Sequence, residues 1–327
     1  MFRIFIFMVI LFFSGPAASL AQVEFLRALG PETGKAKPVF QYQGSRYAKE
    51  EVEGQNKDFE ITRHNAFLSF PAFQDVQNEW TLLGNFRLQD IDTNAILPDT
   101  RESFPESLWD IRFGTQYRRK FENGWIGGGT VTVGSASDKP FRSEAEVTVQ
   151  ANLFAWVPDG ERNAWLLFLN YTRYREFLSH VPIPGIAYWY EPSPQLRLIF
   201  GIPFASIEWK PSSDLSVELS YFMIRTVHAQ VSYRFLPSLR AYAGFDWRNE
   251  YYFRYDRKDD DKRLAYYEKR LYTGIRWDFS RGIFMDLGGG YAFDRFYFEA
   301  ERYNDRNENR LNVGNGFFGS LRLGAAF

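Results

Sequence analysis

The sequence predicts an all-β chain, closed into an antiparallel transmembrane β-barrel of about 12 strands, within a range of roughly 10–14. Three observations predict it: an N-terminal leader, period-2 alternation sustained over long runs, and tryptophans gathered near the ends of those runs. Composition narrows the alternatives. Phe (33), Tyr (19) and Trp (9) together make up 19% of the 327 residues, while 24% are charged, which fits neither a disordered chain nor a helical membrane protein. A formal charge of −1 argues against nucleic acid as a partner. With no cysteine and only three histidines, disulfides, thiol catalysis and a His-rich metal site drop out, and no cofactor is expected.

Residues 1–21 have the layout of a signal peptide. Arg3 supplies the positive start, residues 4–13 are apolar, Ser14-Gly15-Pro16 breaks the run, and Ser19-Leu20-Ala21 places small residues before Gln22. The apolar run is about half of the ~20 residues a spanning helix needs. After it, the longest purely apolar run is 164–169. Only a closed barrel would then satisfy the backbone of such a chain in lipid.

Residues 22–57 are polar and Gly/Pro-punctuated, and are expected to form a periplasmic tail with at most a short strand near 39–42; the barrel is expected to occupy 58–327. From about Phe59 alternation keeps returning. Trp109, Ile111, Phe113 and Tyr117 oppose Asp110, Arg112, Gln116 and Arg118; Ala145, Val147, Val149, Ala151 and Leu153 oppose Glu144, Glu146, Thr148, Gln150 and Asn152. Val227 to Phe235, Leu239 to Trp247 and Leu271 to Phe279 repeat the pattern against His228, Gln230, Arg234, Arg240, Asp246, Arg248, Arg270, Arg276 and Asp278. Runs of ten or so residues suit a tilted strand crossing a bilayer.

The connectors divide into tight turns (Pro211-Ser212-Ser213-Asp214, Leu236-Pro237-Ser238, Ser280-Arg281-Gly282) and long charged loops (256–262, 300–315). Counted back from the C-terminus the two kinds fall on opposite edges, as in outer-membrane barrels with short periplasmic turns. Parity demands a further hairpin near 223–226 and leaves 91–106 long where a short turn is expected.

Tryptophan decides which face is apolar-out. Trp80, Trp109, Trp125 and Trp165 begin runs, and Trp156, Trp209, Trp247 and Trp277 end them, as two interfacial girdles would require. The polar face then lines the interior. It carries Arg87, Arg112, Arg118, Arg234, Arg240, Arg248, Arg270, Arg276 and Arg322 with His228. Against them stand Asp110, Glu144, Glu146, Glu218, Asp246, Glu268, Asp278, Asp286 and Asp294. On the lipid face an arginine at mid-bilayer would cost about 2–4 kcal/mol.

Other motifs carry no chemistry. Gly30-Pro31-Glu32-Thr33-Gly34-Lys35 is one residue short of a phosphate loop and has Ala36 where Ser or Thr would hold magnesium. His228 and Ser232 share a face but stand roughly 13 Å apart along a strand, too far for a nucleophile and its base. Asp259-Asp260-Asp261 is neutralised by its flanking Arg257-Lys258 and Lys262-Arg263. The Gly127–129 and Gly288–290 triplets belong to strands rather than to nucleotide loops.

The last strand alternates Phe317, Gly319, Leu321, Leu323, Ala325 and Phe327 against small and polar residues and stops on Phe327. In this it resembles bacterial outer-membrane β-barrel proteins, whose C-terminal aromatic is read by the barrel-assembly machinery; Ala325 stands where the fuller motif has a second aromatic. Ile183-Pro184-Gly185, Gly201-Ile202-Pro203-Phe204 and Trp209-Lys210-Pro211 resemble an uncharacterised bacterial family of such barrels. The resemblance implies outer-membrane lipid and the assembly machinery as partners and brings no activity. The function expected is a passive, non-enzymatic pore for small solutes with a charge-balanced lumen. The alternative is a non-conducting structural or surface-binding barrel, closed inside and acting through loops 255–263 and 299–315; an outer-membrane enzyme acting on lipid or peptide ranks last, for want of a catalytic constellation.

Overall fold

The computed structural model describes residues 33–173, 180–222, 226–280, 282–301 and 305–327; the expected leader and Gly30-Pro31-Glu32 lie outside the described residues. β1 (Val39–Tyr47) and a short β2 (Glu50–Val52) precede β3 (Lys57–Gln74), β4 (Asn78–Thr93), β5 (Ser107–Lys120) and β6 (Ile126–Ser137). A 3-10 turn at Glu144–Glu146 leads into β7 (Val147–Asp159), β8 (Asn163–Thr172), β9 (Ile183–Ser193), β10 (Leu196–Ile202), β11 (Phe204–Trp209) and β12 (Leu215–Phe222). β13 (Thr226–Leu236), β14 (Leu239–Tyr252), β15 (Arg263–Ser280), β16 (Ile283–Ala300), β17 (Leu311–Val313) and β18 (Gly316–Ala326) complete the chain.

Among the described residues, and leaving aside the three-residue β2 and β17, sixteen strands pair antiparallel in one ring, which closes where β1 meets both β18 and β3. The class is the one alternation predicts, and the ring is larger than about twelve strands. β10 and β11 are only 7 and 6 residues long, too short for alternation to reveal the reversal between them. That reversal also resolves the parity, placing 94–106 on the long-loop edge. β12 and β13 pair antiparallel with Phe222 opposite Thr226, in keeping with the reversal demanded near 223–226, of which 223–225 lie outside the described residues.

The barrel begins at Val39, not at 58. The short strand expected near 39–42 runs on to Tyr47 as part of the ring; its alternation is faint because its inward face is Gln41, Gln43 and Ser45 and its outward face has Phe40 and Tyr42 as its only large rings.

Burial is inverted relative to a soluble sandwich. Leu68 and Phe70 on β3, Phe113 on β5, Leu153 on β7, Leu271 and Ile275 on β15 and Leu287 on β16 are all exposed, while the charges on the alternate positions are buried. A water-facing surface rarely carries so continuous an apolar belt; a lipid-facing one requires it.

The wall is uneven. β3, β15 and β16 have 18 residues each, roughly 60 Å of extended chain, whereas β10, β11 and β12 have 7, 6 and 8, roughly 20–26 Å. Above the belt the tall strands carry outward rings that their own loop covers. Arg310 lies 3.8 Å over Phe296 and Arg306 5.7 Å over Tyr267, and the cluster of Tyr251, Tyr267, Phe296 and Phe298 is buried.

Candidate functional site

The barrel interior is the candidate site, and a clasp divides it. β6 and β14 are eight strands apart in either direction round the ring, yet their loop-edge ends touch. Ser137 and Phe253 form a parallel bridge. Phe253 donates its backbone N–H to the Ala136 carbonyl at 2.7 Å, and Asp138 donates to the Phe253 carbonyl at 3.2 Å. Pinching a sixteen-strand ring across its diameter leaves two eight-strand arcs, and an eight-strand circumference is one that side chains alone can fill.

One arc, β14–β16 with β18, β1 and β3–β5, is filled. Arg63 on β3 reaches across the interior to Glu250 on β14 at 2.5 Å. Gln89 on β4 donates to Glu250 at 2.8 Å and accepts from Tyr297 at 2.7 Å. Tyr47 donates to Glu268 at 3.0 Å, while Tyr266 donates to its other oxygen at 2.6 Å. Glu250, Glu268, Asp110 and Arg63 are each at most 2% exposed. Above them, rings of Phe59, Phe104, Tyr297 and Tyr266 stack into an apolar plug with Ile61, Leu97 and Leu108. Water is shut out of the loop-edge half of this arc, while toward the short turns Arg240, Arg276 and Asp278 keep side chains 27–33% exposed.

At the loop edge Arg254 ties three segments together, donating to Glu102 at 2.7 Å, Asp256 at 2.9 Å and Glu299 at 3.2 Å. The Arg254 hydrogen bond holds the Glu102 carboxyl below its ordinary value. Glu308 beside Lys262 raises that ammonium at 2.8 Å.

The other arc, β6–β13, is built differently. Its inward apolar residues gather in one cluster: Trp156 against Trp189 (centroids 4.8 Å) and Phe168 against Phe204 (5.6 Å), with Phe222 stacked beyond. Gly185 has no side chain because the Phe168 ring lies where a Cβ would sit. Between these rings and the short-turn edge, Ser206, Glu208, Ser216, Glu218, His228 and Gln230 remain partly open to water. At the short-turn edge this arc ends in a cavity of about 450 Å³ bounded by Pro194, Lys210, Ser213, Asp214, Arg234 and Arg240.

The interior residues expected from sequence sort as follows. Arg87 and Arg112 both pair with Asp110, the latter at 2.7 Å, and Arg118 meets Glu79 at 3.4 Å. Asp246 gathers Arg270 (2.6 Å), Arg248 (2.9 Å) and His228 (2.7 Å). Glu268 lies 3.9 Å from Arg295, Asp286 pairs with Arg322, and Asp278 takes Arg276 (2.9 Å) and Arg240 (3.1 Å). Glu218 and Arg234 lie on the β6–β13 side, and Arg234 is exposed.

Three expected positions are corrected. Glu144 and Glu146 belong to the 3-10 turn before β7, where Glu146 accepts the Arg142 N–H at 3.2 Å; the strand starts only at Val147. Asp294 sits at a bulge with φ 52°, which turns it to the outer face against Lys269 at 2.7 Å.

The tryptophans are corrected too. Trp80, Trp125, Trp165, Trp209 and Trp277 are outward and 43–49% exposed, but all five stand at the short-turn edge. Strands alternate in direction, so starts and ends of successive strands share one edge, and the set forms one girdle. Trp156 points inward at 4% exposure. Trp109 and Trp247, toward the loop edge, are half-buried; Trp109 packs on Phe86 and Trp247 on Tyr267.

Sequence reasoning missed Arg63, Glu250 and Arg295. Continuing the alternation from Asp246 and Arg248 would have reached Glu250. Arg295 was hidden by the bulge, and Arg63 by adjoining His64, which faces the other way and pairs with Tyr42 at 2.7 Å. His228 bonds Asp246, not Ser232, whose hydroxyl accepts from Gln230 at 3.0 Å. Among the described residues no three His, Asp or Glu side chains converge as metal ligands.

Known proteins offer only distant likenesses. No family model and no curated protein matches the chain. Among solved structures, an outer membrane channel from Pseudomonas putida F1 is similar at 13% identity and TM-score 0.37, covering 90% of this chain and 97% of that one. The Pseudomonas putida toluene transporter TodX aligns at 6% identity and TM-score 0.40, covering 89% and 90%. OccK7 of Pseudomonas aeruginosa aligns at 9% and 0.38, covering 89% and 99%. Likenesses this remote assign the chain neither a family nor a solute.

Proposed function

We propose that the chain is an outer-membrane barrel that passes small solutes through the β6–β13 arc alone. The observation that carries this reading is the contrast in water access. Arg63, Glu250 and Glu268, in the loop-edge half of one arc, are shut away, whereas Ser206, Glu218, His228 and Gln230 in the other remain partly wetted and lead toward the cavity at the short-turn edge, where Arg240 of the first arc is also partly exposed. The apolar belt and the tryptophan girdle support the lipid-embedded setting, with the short turns facing the periplasm. On this reading most paired charges are struts rather than pore charges. Selectivity falls to Glu208, Glu218, Arg234 and Arg240, and the Phe168–Phe204–Phe222 rings form the narrow point.

Planar-bilayer recording on the purified barrel tests the proposal. Small, discrete conductance steps are expected, enlarged by Phe204→Ala. A silent wild type and a silent Phe204→Ala variant would instead favour a non-conducting barrel, a reading supported by the bridge from Arg63 to Glu250. Biogenesis is part of the same proposal: Phe327 is 70% exposed at the end of the closing strand, free for the assembly machinery to bind, so its deletion should lower barrel yield without blocking secretion.

A further inference from the structure

The short-turn end of the wetted arc holds an arrangement that neither charge pairing nor packing explains. Arg234 on β13 and Arg240 on β14 stand directly opposite one another in register. Like charges in that position repel. Arg240 spends one nitrogen on Asp278 at 3.1 Å, yet its Nε is buried and meets no acceptor among the described residues. Arg234 has no acidic partner among them, only its backbone N–H on the Asp214 carbonyl at 2.8 Å. Both border the 450 Å³ cavity.

The rest of the wall is chosen from the same chemistry. Lys210 adds a third cation, half-engaged with Glu208 at 2.5 Å. Ser213 and Ser216 offer hydroxyl donors, while Pro194, Pro211 and Leu215 supply a short apolar side. Asp214 is the one carboxylate on the lining, so cations outnumber it.

We propose that this cavity is a binding site for the oxyanion head of a small solute, a carboxylate or phosphate, held between Arg234 and Arg240. An oxyanion would give the Arg240 Nε an acceptor, cancel the cross-strand repulsion and match the planar donor edges of two guanidinium groups. The inference deepens the channel reading and rests on it, making the periplasmic mouth the point where anions are concentrated before the aromatic constriction.

Isothermal titration of the full-length barrel in detergent at low salt, with sodium butyrate in one arm and inorganic phosphate in the other, tests it. Wild type should bind at least one of the two; the tighter one identifies whether the head group comes with an organic body. Arg234→Gln, an exposed change that spares every ion pair, should weaken binding roughly tenfold, the loss of one charge-assisted hydrogen bond. Arg234→Gln with Arg240→Gln should abolish it. Binding of neither anion by wild type, or undiminished binding by Arg234→Gln, would overturn the site. Binding is read without current, so a silent bilayer with intact binding removes the channel and leaves the site. Conductance without binding does the reverse.

Discussion

The two arcs share one belt of lipid-facing residues and one backbone ladder, and beyond the height of their strands they differ in what their inward faces do. In the β14–β5 arc the inward charges named above meet an opposite charge or a tyrosine hydroxyl, mostly on the same or a neighbouring strand, with Arg63 and Glu250 joined across the interior, and the loop-edge half is full. In the β6–β13 arc the inward face alternates aromatic rings with small polar groups, and charges such as Arg234 and Glu218 have no ionic partner among the described residues. The difference teaches that a count of interior charges does not describe a pore. Nine arginines and nine carboxylates read as a balanced lumen, but most of that balance is local pairing inside a sealed wall.

The largest effect that could break the comparison is on stability. Glu250→Ala should cost about 3–5 kcal/mol, because it strands Arg63 in a dry interior. Glu218→Ala in the other arc should stay within about 0.5 kcal/mol. Urea titration in detergent, following the unfolding midpoint, checks the pair; equal losses would mean that the arcs are equally packed. Replacing Arg63 and Glu250 together by methionine should recover most of the first loss.

Ion selectivity sharpens the contrast next. Arg234→Glu with Arg240→Glu should move the reversal potential toward cations, whereas Arg112→Gln, inside the sealed arc, should leave it in place. A shift from Arg112→Gln would show that solutes pass through the wrong half.

The smallest effect is at the clasp edge. The Glu102 carboxyl lies below its ordinary 4.5 because Arg254 donates to it. Its folded value is depressed, so the stabilisation is complete at pH well above 4.5 and fades as pH falls through the lower folded value. Protection of the amides in 94–106, taken relative to the intrinsic exchange rate at each pH, should therefore fall between pH 5 and pH 3, and Glu102→Gln should remove that change. An equally pH-sensitive loop in Glu102→Gln would assign the effect to other groups.

Much of this was legible in the residues. Period-2 alternation is a local property of each strand, so Asp110, Asp246, Arg270 and Asp278 could be assigned to the inward face without any partner in view. What made Asp294 and Arg295 illegible was a single bulge, which flips every later side chain to the other face. β10 and β11 escaped because six or seven residues do not establish a period.

By itself the sequence determined the all-β class, the two alternating faces of each strand and the contrast of tight and long connectors, since each of these follows from neighbours a few residues apart. Only the tertiary structure decided that sixteen strands close the ring, that Ser137 meets Phe253 across it, that Arg63 finds Glu250, and that Arg240 is left facing Arg234. Those pairings join residues far apart in the chain or strands whose register depends on the whole circumference. No local pattern encodes a diameter, so which half of the barrel is filled is fixed only when the ring closes on itself.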